Sequence, residues 1–532
     1  MQAPYPSSLV TRLASKLAYI LTPAGVMIYA LVTLGPMAAL LAASARWLAE
    51  GGGKLEFGSR SMALLGRSLG LALAVALGAT VLGVLAAVIV RFGLGRHNRR
   101  RMIYASLFCI VLAVVPPYVH ATAWMAVVDM LGRVFPALQA RGIGLSAWVQ
   151  MMSVLPIAAG MALLGLGSVE SSLVEAARLA RRDLPALLGV ILPLAAPAIL
   201  TGAGLCFLLS LTDYSVPSLF QVNVYSLEIF SEFSASGSPE RAFWLSLPLL
   251  VVCGLASLAL LGGLKNTALS AAQRSGYEES SFNWPGWFRS LLGLAGMLWI
   301  VQAGVPLLTL LVQAGSWHSF VTSIVEAQSD LAFSLQVALV TGLLCLPLAG
   351  ALAVLLKRGS RLGWSLVLAP LVLPAPLVGI GLIWIWNQPS GLGVYGTAWM
   401  PVLAMLARFS AIAALAILAQ HRRTDVHLLE AAQVFQPDPL KRWLGVELPL
   451  LAPGLLAAAG IVFVLSAGEL GATLITTPPG QSTLTLRIYN YLHYGASETV
   501  AGLCLLVVLV TLLVGGVVGL SLGLRREREQ AP

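Results

Sequence analysis

The chain has 532 residues, of which 58% are hydrophobic and 10% are charged, and its mean hydropathy is +0.88. A soluble globular domain carries about a quarter charged residues, so this composition excludes that class. The net charge of +10 does not indicate nucleic-acid binding. The basic residues lie in short loops between apolar runs, as they do in membrane proteins that retain positive loops on the cytoplasmic side.

Twelve long apolar runs follow one another along the chain, and about 20 apolar residues are enough for a helix to cross the hydrocarbon core. Because lipid offers no partner for backbone polar groups, each run is predicted to be a transmembrane helix. The run from Leu17 to Ala45 is too long for the apolar part of a signal peptide, so it is predicted to be a retained first span. The predicted spans are centred in 22–45, 68–90, 102–128, 143–168, 190–212, 242–264, 290–313, 332–356, 362–387, 398–420, 451–476 and 499–523.

The loops predict the orientation. If the spans alternate, the main basic clusters fall on one side of the membrane, whereas the loops on the other side are richer in acidic residues. Both termini are therefore predicted to be cytoplasmic. The basic clusters are Arg91 to Arg101, Arg178 to Arg182, Lys357 to Arg361, Arg422 with Arg423, Lys441 with Arg442, and Arg525 to Arg528.

The two halves of the chain repeat each other. Ser68 to Arg91 aligns without gaps on Ser334 to Lys357, and the proline pairs Pro116-Pro117 and Pro374-Ala-Pro376 fall in corresponding third spans. Prolines at these places are expected to kink the spans. Residues 265–289 are polar enough to be a cytoplasmic linker. The sequence thus predicts an all-α membrane protein with two parallel six-helix repeats, 1–264 and 290–532.

Each repeat contains a polar interval that begins with Glu-Ala-Ala and ends with Leu-Pro-Leu. Alanine favours helix, so each interval is predicted to form a short surface helix. The glutamates are expected near the helix starts, where the helix dipole favours a carboxylate, and the prolines are expected to restrict the chain as it re-enters the membrane. The residues concerned are Glu175, Ala176, Ala177 and Pro193 in the first copy and Glu430, Ala431, Ala432 and Pro449 in the second.

These intervals resemble the Glu-Ala-Ala loops of permease subunits in binding-protein-dependent ABC importers. The family pattern has a glycine after Glu-Ala-Ala, but Arg181 and Gln436 stand at that place here, and the first copy is one residue shorter than the second. The resemblance implies the type I ABC importer permease fold. It also implies that the intervals at about 170–197 and 421–453 form coupling helices seated in an ATP-hydrolysing subunit.

The ATP-binding motif is not found in the chain. Gly51-Gly52-Gly53-Lys54 lacks the full pattern Gly-x4-Gly-Lys-Ser/Thr. The chain is therefore expected not to be an enzyme and to hold no cofactor. The resemblance implies a separate homodimeric ATPase subunit, which binds ATP and Mg. It also implies a separate extracytoplasmic solute-binding protein and a location in the bacterial inner membrane.

Ionisable residues at membrane depth are candidates for a substrate pathway, because burying them in lipid is costly. Asp213 and Glu469 occupy equivalent places in the two halves, where they either line a pathway or cap helices near the interface. Arg408 either pairs with one of these acids or extends its head to the interface. His120 is a further candidate, although a structural histidine is the simpler interpretation.

The substrate is predicted from resemblance alone. The stretch from Thr483 to Ala496 looks like the equivalent stretch in fused permeases of ferric-iron importers, and thiamine and phosphonate importers remain alternatives. No metal site is assigned. A twelve-span secondary transporter also has two parallel six-span halves, but it needs no Glu-Ala-Ala intervals. A membrane-embedded enzyme is disfavoured because catalytic residue clusters are not evident.

Overall fold

The computed structural model describes residues 9–51, 58–93, 115–135, 141–270, 282–389, 393–436, 438–494 and 497–528. Within these ranges the chain is helical and has no strand, which confirms the predicted all-α fold. Ten of the described helices are long and apolar enough to cross a membrane, and a bent pair of helices makes an eleventh candidate. Most of the predicted third span lies outside the described residues.

The first half contains α1 (Leu9–Ala49), α2 (Ser59–Val88), α3 (Pro117–Gly132), α4 (Ile143–Ser168), α5 (Ser171–Ala180), α6 (Asp183–Ala186), α7 (Leu192–Thr212), α8 (Ser215–Leu219), α9 (Tyr225–Ser236) and α10 (Pro239–Ser270). The second half contains α11 (Gly286–Gln313), α12 (Trp317–Glu326), α13 (Gln328–Lys357), α14 (Arg361–Val372), α15 (Ala375–Trp386), α16 (Trp399–Arg423), α17 (Val426–Phe435), α18 (Pro439–Arg442), α19 (Leu448–Ala467), α20 (Thr473–Thr476), α21 (Leu484–Tyr494) and α22 (Ser497–Arg528).

Three long helices pack on one another at the centre of each half. In the first half these are α2, α4 and α7, and in the second half they are α13, α16 and α19. Small residues allow the close approach: a Cβ on Gly83 of α2 would lie 2.8 Å from the backbone N of Ala159 on α4. The apolar faces that meet here explain why these helices form the core of each half.

The first span of each half packs against the other half. Helix α1 lies on α13, α15 and α16, and α11 lies on α2 and α3 as well as on α22. Tyr29 of α1 donates from its hydroxyl to the carbonyl of Leu366 at 2.9 Å, and Gln302 of α11 donates to the carbonyl of Met152 at 3.0 Å. This reciprocal exchange ties the two halves together through buried surfaces.

Two predicted spans differ from the structure. The ninth, predicted over 362–387, is broken: α14 and α15 are bent by 100° at Leu373 and Pro374. Proline removes an amide donor and disfavours helix in the residue before it, so a new helix starts at this place. The eleventh, predicted over 451–476, ends at Ala467, and residues 473–476 form the separate short helix α20.

One hydrogen bond recurs in both halves. Ser68 accepts the backbone N–H of Tyr225 at 2.8 Å, and Ser334 accepts the backbone N–H of Leu484 at 2.7 Å. Each serine lies on the second span of its half, and each donor is the first residue of an extramembranous helix, α9 or α21. A hydroxyl acceptor satisfies an amide that a helix start leaves unpaired. Corresponding positions of the two halves thus make corresponding contacts.

Candidate functional site: two surface helices and a polar centre

The two Glu-Ala-Ala intervals form separate helices of ten residues each, α5 and α17, as expected. The expected position of the glutamates within them is wrong. Glu175 and Glu430 are each the fifth residue of the helix, and the first turns of both helices hold no acidic residue. The helix dipole acts mainly within the first turn, so it does not account for these carboxylates. Both side chains are exposed.

Each surface helix buries one small residue and exposes large apolar ones. Ala177 and Ala432 are buried, whereas Ala176 and Ala431 are exposed. The exposed apolar side chains include Leu173, Leu179, Leu428, Val434 and Phe435, of which Leu179 is 90% exposed and Phe435 is 86% exposed. Each surface helix therefore presents large apolar side chains in addition to its glutamate.

The residues at the family's glycine position have extended backbone. Arg181 has φ −146° and ψ 159°, and Gln436 has φ −131° and ψ 85°. Glycine is required only where φ is positive, so a side chain fits at both places without strain. This accounts for the tolerance of residues other than glycine at this position in both intervals.

The helix that follows each interval passes through its proline instead of turning there. Leu192, directly before Pro193, has φ −65° and ψ −43°, and Leu448, directly before Pro449, has φ −62° and ψ −47°. The residue before each proline is therefore helical, and the chain does not turn at either proline. A wider π-helical segment precedes each proline, at Leu187–Ile191 and Trp443–Glu447. Such segments mark places where the regular hydrogen-bond ladder is interrupted.

Asp213 caps the short helix α8. Its Oδ1 accepts the backbone N–H of Ser215 at 2.9 Å and the hydroxyl of the same serine at 2.6 Å. Its Oδ2 accepts the side-chain amide of Gln150 at 3.0 Å. The hydroxyl of Ser210 donates to Oε1 of Gln150 at 2.8 Å, which completes a connected polar network inside the first half.

Glu469 caps the short helix α20 in the second half. Its Oε1 accepts the backbone N–H of Ala472 at 2.8 Å, and its Oε2 accepts that of Thr473 at 3.1 Å. Arg408 forms an ion pair with Oε1, with the glutamate side chain 4% exposed and the arginine 25% exposed. Of the two alternatives for Arg408, the geometry therefore favours pairing with an acid, and both acids have a capping role.

The two halves meet beside these acids. The hydroxyl of Tyr214 donates to the carbonyl of Gly471 at 3.0 Å, across the boundary between the halves. A Cβ on Gly468 would lie 2.5 Å from Cγ of Pro116, and one on Gly471 would lie 2.7 Å from Cβ of Ala375. Pro116 and Pro374 directly precede α3 and α15, and the starts of these two helices thus lie against the segment after α19.

His120 is buried on α3, and neither of its ring nitrogens has a hydrogen-bond partner among the described residues. The described part of the chain contains no group of three or more His, Cys, Asp or Glu side chains placed to hold a metal ion. The described cysteines form no disulfide and are buried: Cys206, Cys253, Cys345 and Cys504. Cys109 lies outside the described residues.

Sequence reasoning missed Gln150 and Tyr214. Gln150 is a buried amide in the middle of an apolar span, which is the kind of residue that signals a polar partner at membrane depth. Tyr214 directly follows Asp213, and nothing in the neighbouring sequence indicates that its hydroxyl contacts Gly471 in the other half. The assignment of Asp213, Glu469, Arg408 and His120 to a substrate pathway stays a prediction.

No family model matches the chain. The molybdenum transport system permease protein ModB of Mycobacterium tuberculosis is 31% identical over 238 residues, which are 41% of this chain and 89% of that protein. ModB of Haemophilus influenzae is 30% identical over 203 residues, which are 35% of this chain and 89% of that protein. The 2-aminoethylphosphonate transport system permease protein PhnV of Salmonella typhimurium is 31% identical over 145 residues, so the match spans about half (54%) of its length.

The two ModB proteins are matched over most of their length. The chain that matches them has long apolar helices and two short exposed Glu-Ala-Ala helices. The multi-pass helical fold and these relatives agree on a membrane permease. The chain therefore belongs to the family of permease subunits of ABC importers.

Proposed function

We propose that this chain is a fused permease subunit of a binding-protein-dependent ABC importer, in which one polypeptide supplies both permease repeats. The alignments with ModB support the fusion, because 89% of a relative corresponds to only 41% of this chain. The repeated contacts of Ser68 and Ser334 support it as well, since each serine performs the same task in its own half.

The observation that carries the proposal is the pair of surface helices. An ATPase subunit docked on α5 would meet Leu179 and Glu175, and one docked on α17 would meet Phe435 and Glu430. Counting the bent pair as one span, six spans separate the two helices, so both lie on the same face of the membrane. A dimeric ATPase, homodimeric in the simplest case, can then bind both helices from the cytoplasm.

The proposed membrane is the bacterial inner membrane, with both termini in the cytoplasm and an extracytoplasmic solute-binding protein on the opposite face. ATP and Mg would bind to the ATPase subunit. The positive-inside distribution of the loop residues supports this orientation.

Ferric iron is the candidate substrate from the resemblance of 483–496, with thiamine as an alternative. A second candidate class is small oxyanions, because the names of ModB and PhnV specify molybdenum and 2-aminoethylphosphonate transport. Gln150, Asp213, Arg408 and Glu469 form the polar centre. Arg408 and Glu469 form an ion pair, and Asp213 accepts from the amide of Gln150, so the net charge of these groups is at most one negative charge.

The decisive experiment reconstitutes the full-length chain in liposomes with candidate ATPase subunits and solute-binding proteins from the same organism. ATP hydrolysis stimulated by loaded binding protein, together with uptake, supports the proposal. Uptake by the chain alone, driven by a proton gradient, would overturn it in favour of a secondary transporter. Binding protein loaded separately with ferric iron, thiamine, molybdate or 2-aminoethylphosphonate identifies the substrate by which sample stimulates hydrolysis.

A further inference from the structure

The segment that joins the two halves is bound to the first surface helix. Arg178 of α5 donates from Nε to Oδ1 of Asp183 at 2.7 Å and from Nη2 to Oδ2 at 3.5 Å. The same Oδ2 accepts the backbone N–H of Asn283, in the segment that leads into α11. The side chains of Arg178 and Asp183 are only 20% and 13% exposed. This shielded carboxylate therefore connects the surface helix with the entrance to the second half.

Aromatic side chains reinforce the connection. The guanidinium carbon of Arg178 lies 4.3 Å from the ring centroid of Phe282, which is a cation–π geometry. Phe282 packs on Phe92 at the end of the second span, with ring centroids 4.4 Å apart, and stacks on Trp284 at 5.0 Å. Val174 of α5 belongs to the same apolar cluster. Residues 282–288 therefore contact the surface helix and a core span at once.

The second surface helix is held differently. Gln433 corresponds to Arg178 and is exposed. Because its side chain is an amide, it cannot form the ion pair that Arg178 forms. Asp438, at the place of Asp183, uses its Oδ1 to accept the backbone N–H groups of Leu440 and Lys441 at 3.0 and 3.4 Å. Ala432 is the one buried residue among the described side chains of α17.

We infer that residues 282–288 clamp the first surface helix, and that Arg178 is the positioning residue that couples movement of this helix to α11. Because α11 packs on α2, α3 and α22, a displacement passed to it reaches both halves of the permease. The two docking helices are then unequal: residues 282–288 hold α5, whereas in the described part of the chain Asp438, the counterpart of Asp183, bonds to the start of α18. The coupling role rests on the proposed docking of an ATPase, whereas the clamp itself does not.

The clamp can be tested on the chain alone by hydrogen–deuterium exchange of the full-length protein in lipid nanodiscs. Backbone amides of 171–180 are expected to exchange about tenfold more slowly than those of 426–435. Arg178→Gln and Phe282→Leu should each remove this difference, whereas Gln433→Ala, the matched change in the second helix, should leave it in place. Equal exchange of the two helices in the unmodified chain would overturn the clamp.

The coupling role is tested with the ATPase subunit bound. Arg178→Gln is expected to lower the solute transported per ATP hydrolysed about three- to tenfold, while the ATPase subunit still co-purifies. A variant that keeps the transport ratio of the unmodified chain would overturn the coupling role and leave the docking proposal intact. Failure of the unmodified chain to retain any ATPase would instead overturn the docking proposal, and the exchange experiment would still decide the clamp.

Discussion

Gln150 lies on α4 and Arg408 on α16, the fourth spans of the two halves, and each donates a hydrogen bond to the acid that caps the next short helix. The exchange of an amide for a guanidinium has a visible consequence. The amide of Gln150 accepts from the hydroxyl of Ser210, but a guanidinium cannot accept, and the buried hydroxyl of Ser466 has no partner among the described residues. The first half thus has a hydrogen-bonded network in which an uncharged amide faces the acid, and the second has an ion pair beside a hydroxyl that has no partner among the described residues.

Removing the side chain of Arg408 should destabilise the protein strongly. Arg408→Ala leaves Glu469 buried with only its two backbone partners, and we expect a loss of about 3 kcal/mol, at the lower end for a broken buried pair. Arg408→Gln should cost less than half as much, because the amide can donate to Glu469 and accept from Ser466 as its counterpart does in the first half. Thermal unfolding in detergent measures both variants. Equal losses for Ala and Gln would contradict the equivalence of the two networks.

The hydroxyl of Tyr214 should affect the relation between the halves more than their individual stability. Tyr214→Phe removes the hydrogen bond to Gly471, which is worth about 1 kcal/mol, or a roughly fivefold shift between two states that differ in this contact. We expect ATP hydrolysis without binding protein to change by about that factor in the assembled transporter.

Tyr225→Phe is the matched control for that change. Its hydroxyl donates to the carbonyl of Leu245 at 2.7 Å within the first half, so its loss should lower stability without changing unstimulated hydrolysis. The same hydrolysis change in both variants would mean that the Tyr214 contact has no special role between the halves.

The membrane spans could be predicted from the sequence because length and apolar composition alone determine whether a helix can cross lipid. The surface helices were predictable for a similar reason, since a polar interval between spans must fold outside the lipid. Their starts were not. A capping residue such as Asp425, whose side chain accepts the N–H of His427, indicates the start of α17 better than Glu430 does.

From the sequence, the pairing of Arg408 with an acid was one of two alternatives. The pairing of Gln150 with Asp213 was missed. Each pair joins two different helices, and helix periodicity contains no information about which faces of separate spans meet. The clamp at Phe282 was likewise hidden, because a polar segment rich in serine and glutamate precedes it and predicts a solvated linker. The break at Pro374 was predictable as a kink, but its angle depends on tertiary packing.

The exposed apolar residues of the surface helices should dominate binding to the ATPase. Leu179→Ala and Phe435→Ala are each expected to weaken binding by about 2 kcal/mol or more, roughly thirtyfold, as for a central interface residue. Glu175→Lys and Glu430→Lys should also impair binding while leaving stability within about 0.5 kcal/mol, because both side chains are exposed. Titration of the purified ATPase subunit onto the permease in nanodiscs gives the affinities.

Leu255→Ala is a suitable control for the docking variants. Leu255 is 64% exposed on α10, a long apolar span, so it faces lipid or solvent rather than the core. Its truncation should leave ATPase affinity unchanged. If both glutamate variants assemble and transport normally, the surface helices do not have the coupling role proposed for them.

The packing of α1 on the second half includes a close contact with α15 at Gly381. A Cβ on this residue would lie 2.7 Å from both Cβ and the carbonyl oxygen of Pro36 on α1, and neither group belongs to a flexible side chain that can move away. Gly381→Ala should therefore force α1 from α15 and destabilise the protein by about 1–3 kcal/mol. Gly254→Ala on α10 is the control, since no atom lies within 4 Å of its Cβ position, and it should be neutral or slightly stabilising. Thermal unfolding distinguishes the two, and an unchanged melting temperature for Gly381→Ala would show that α1 can shift without cost.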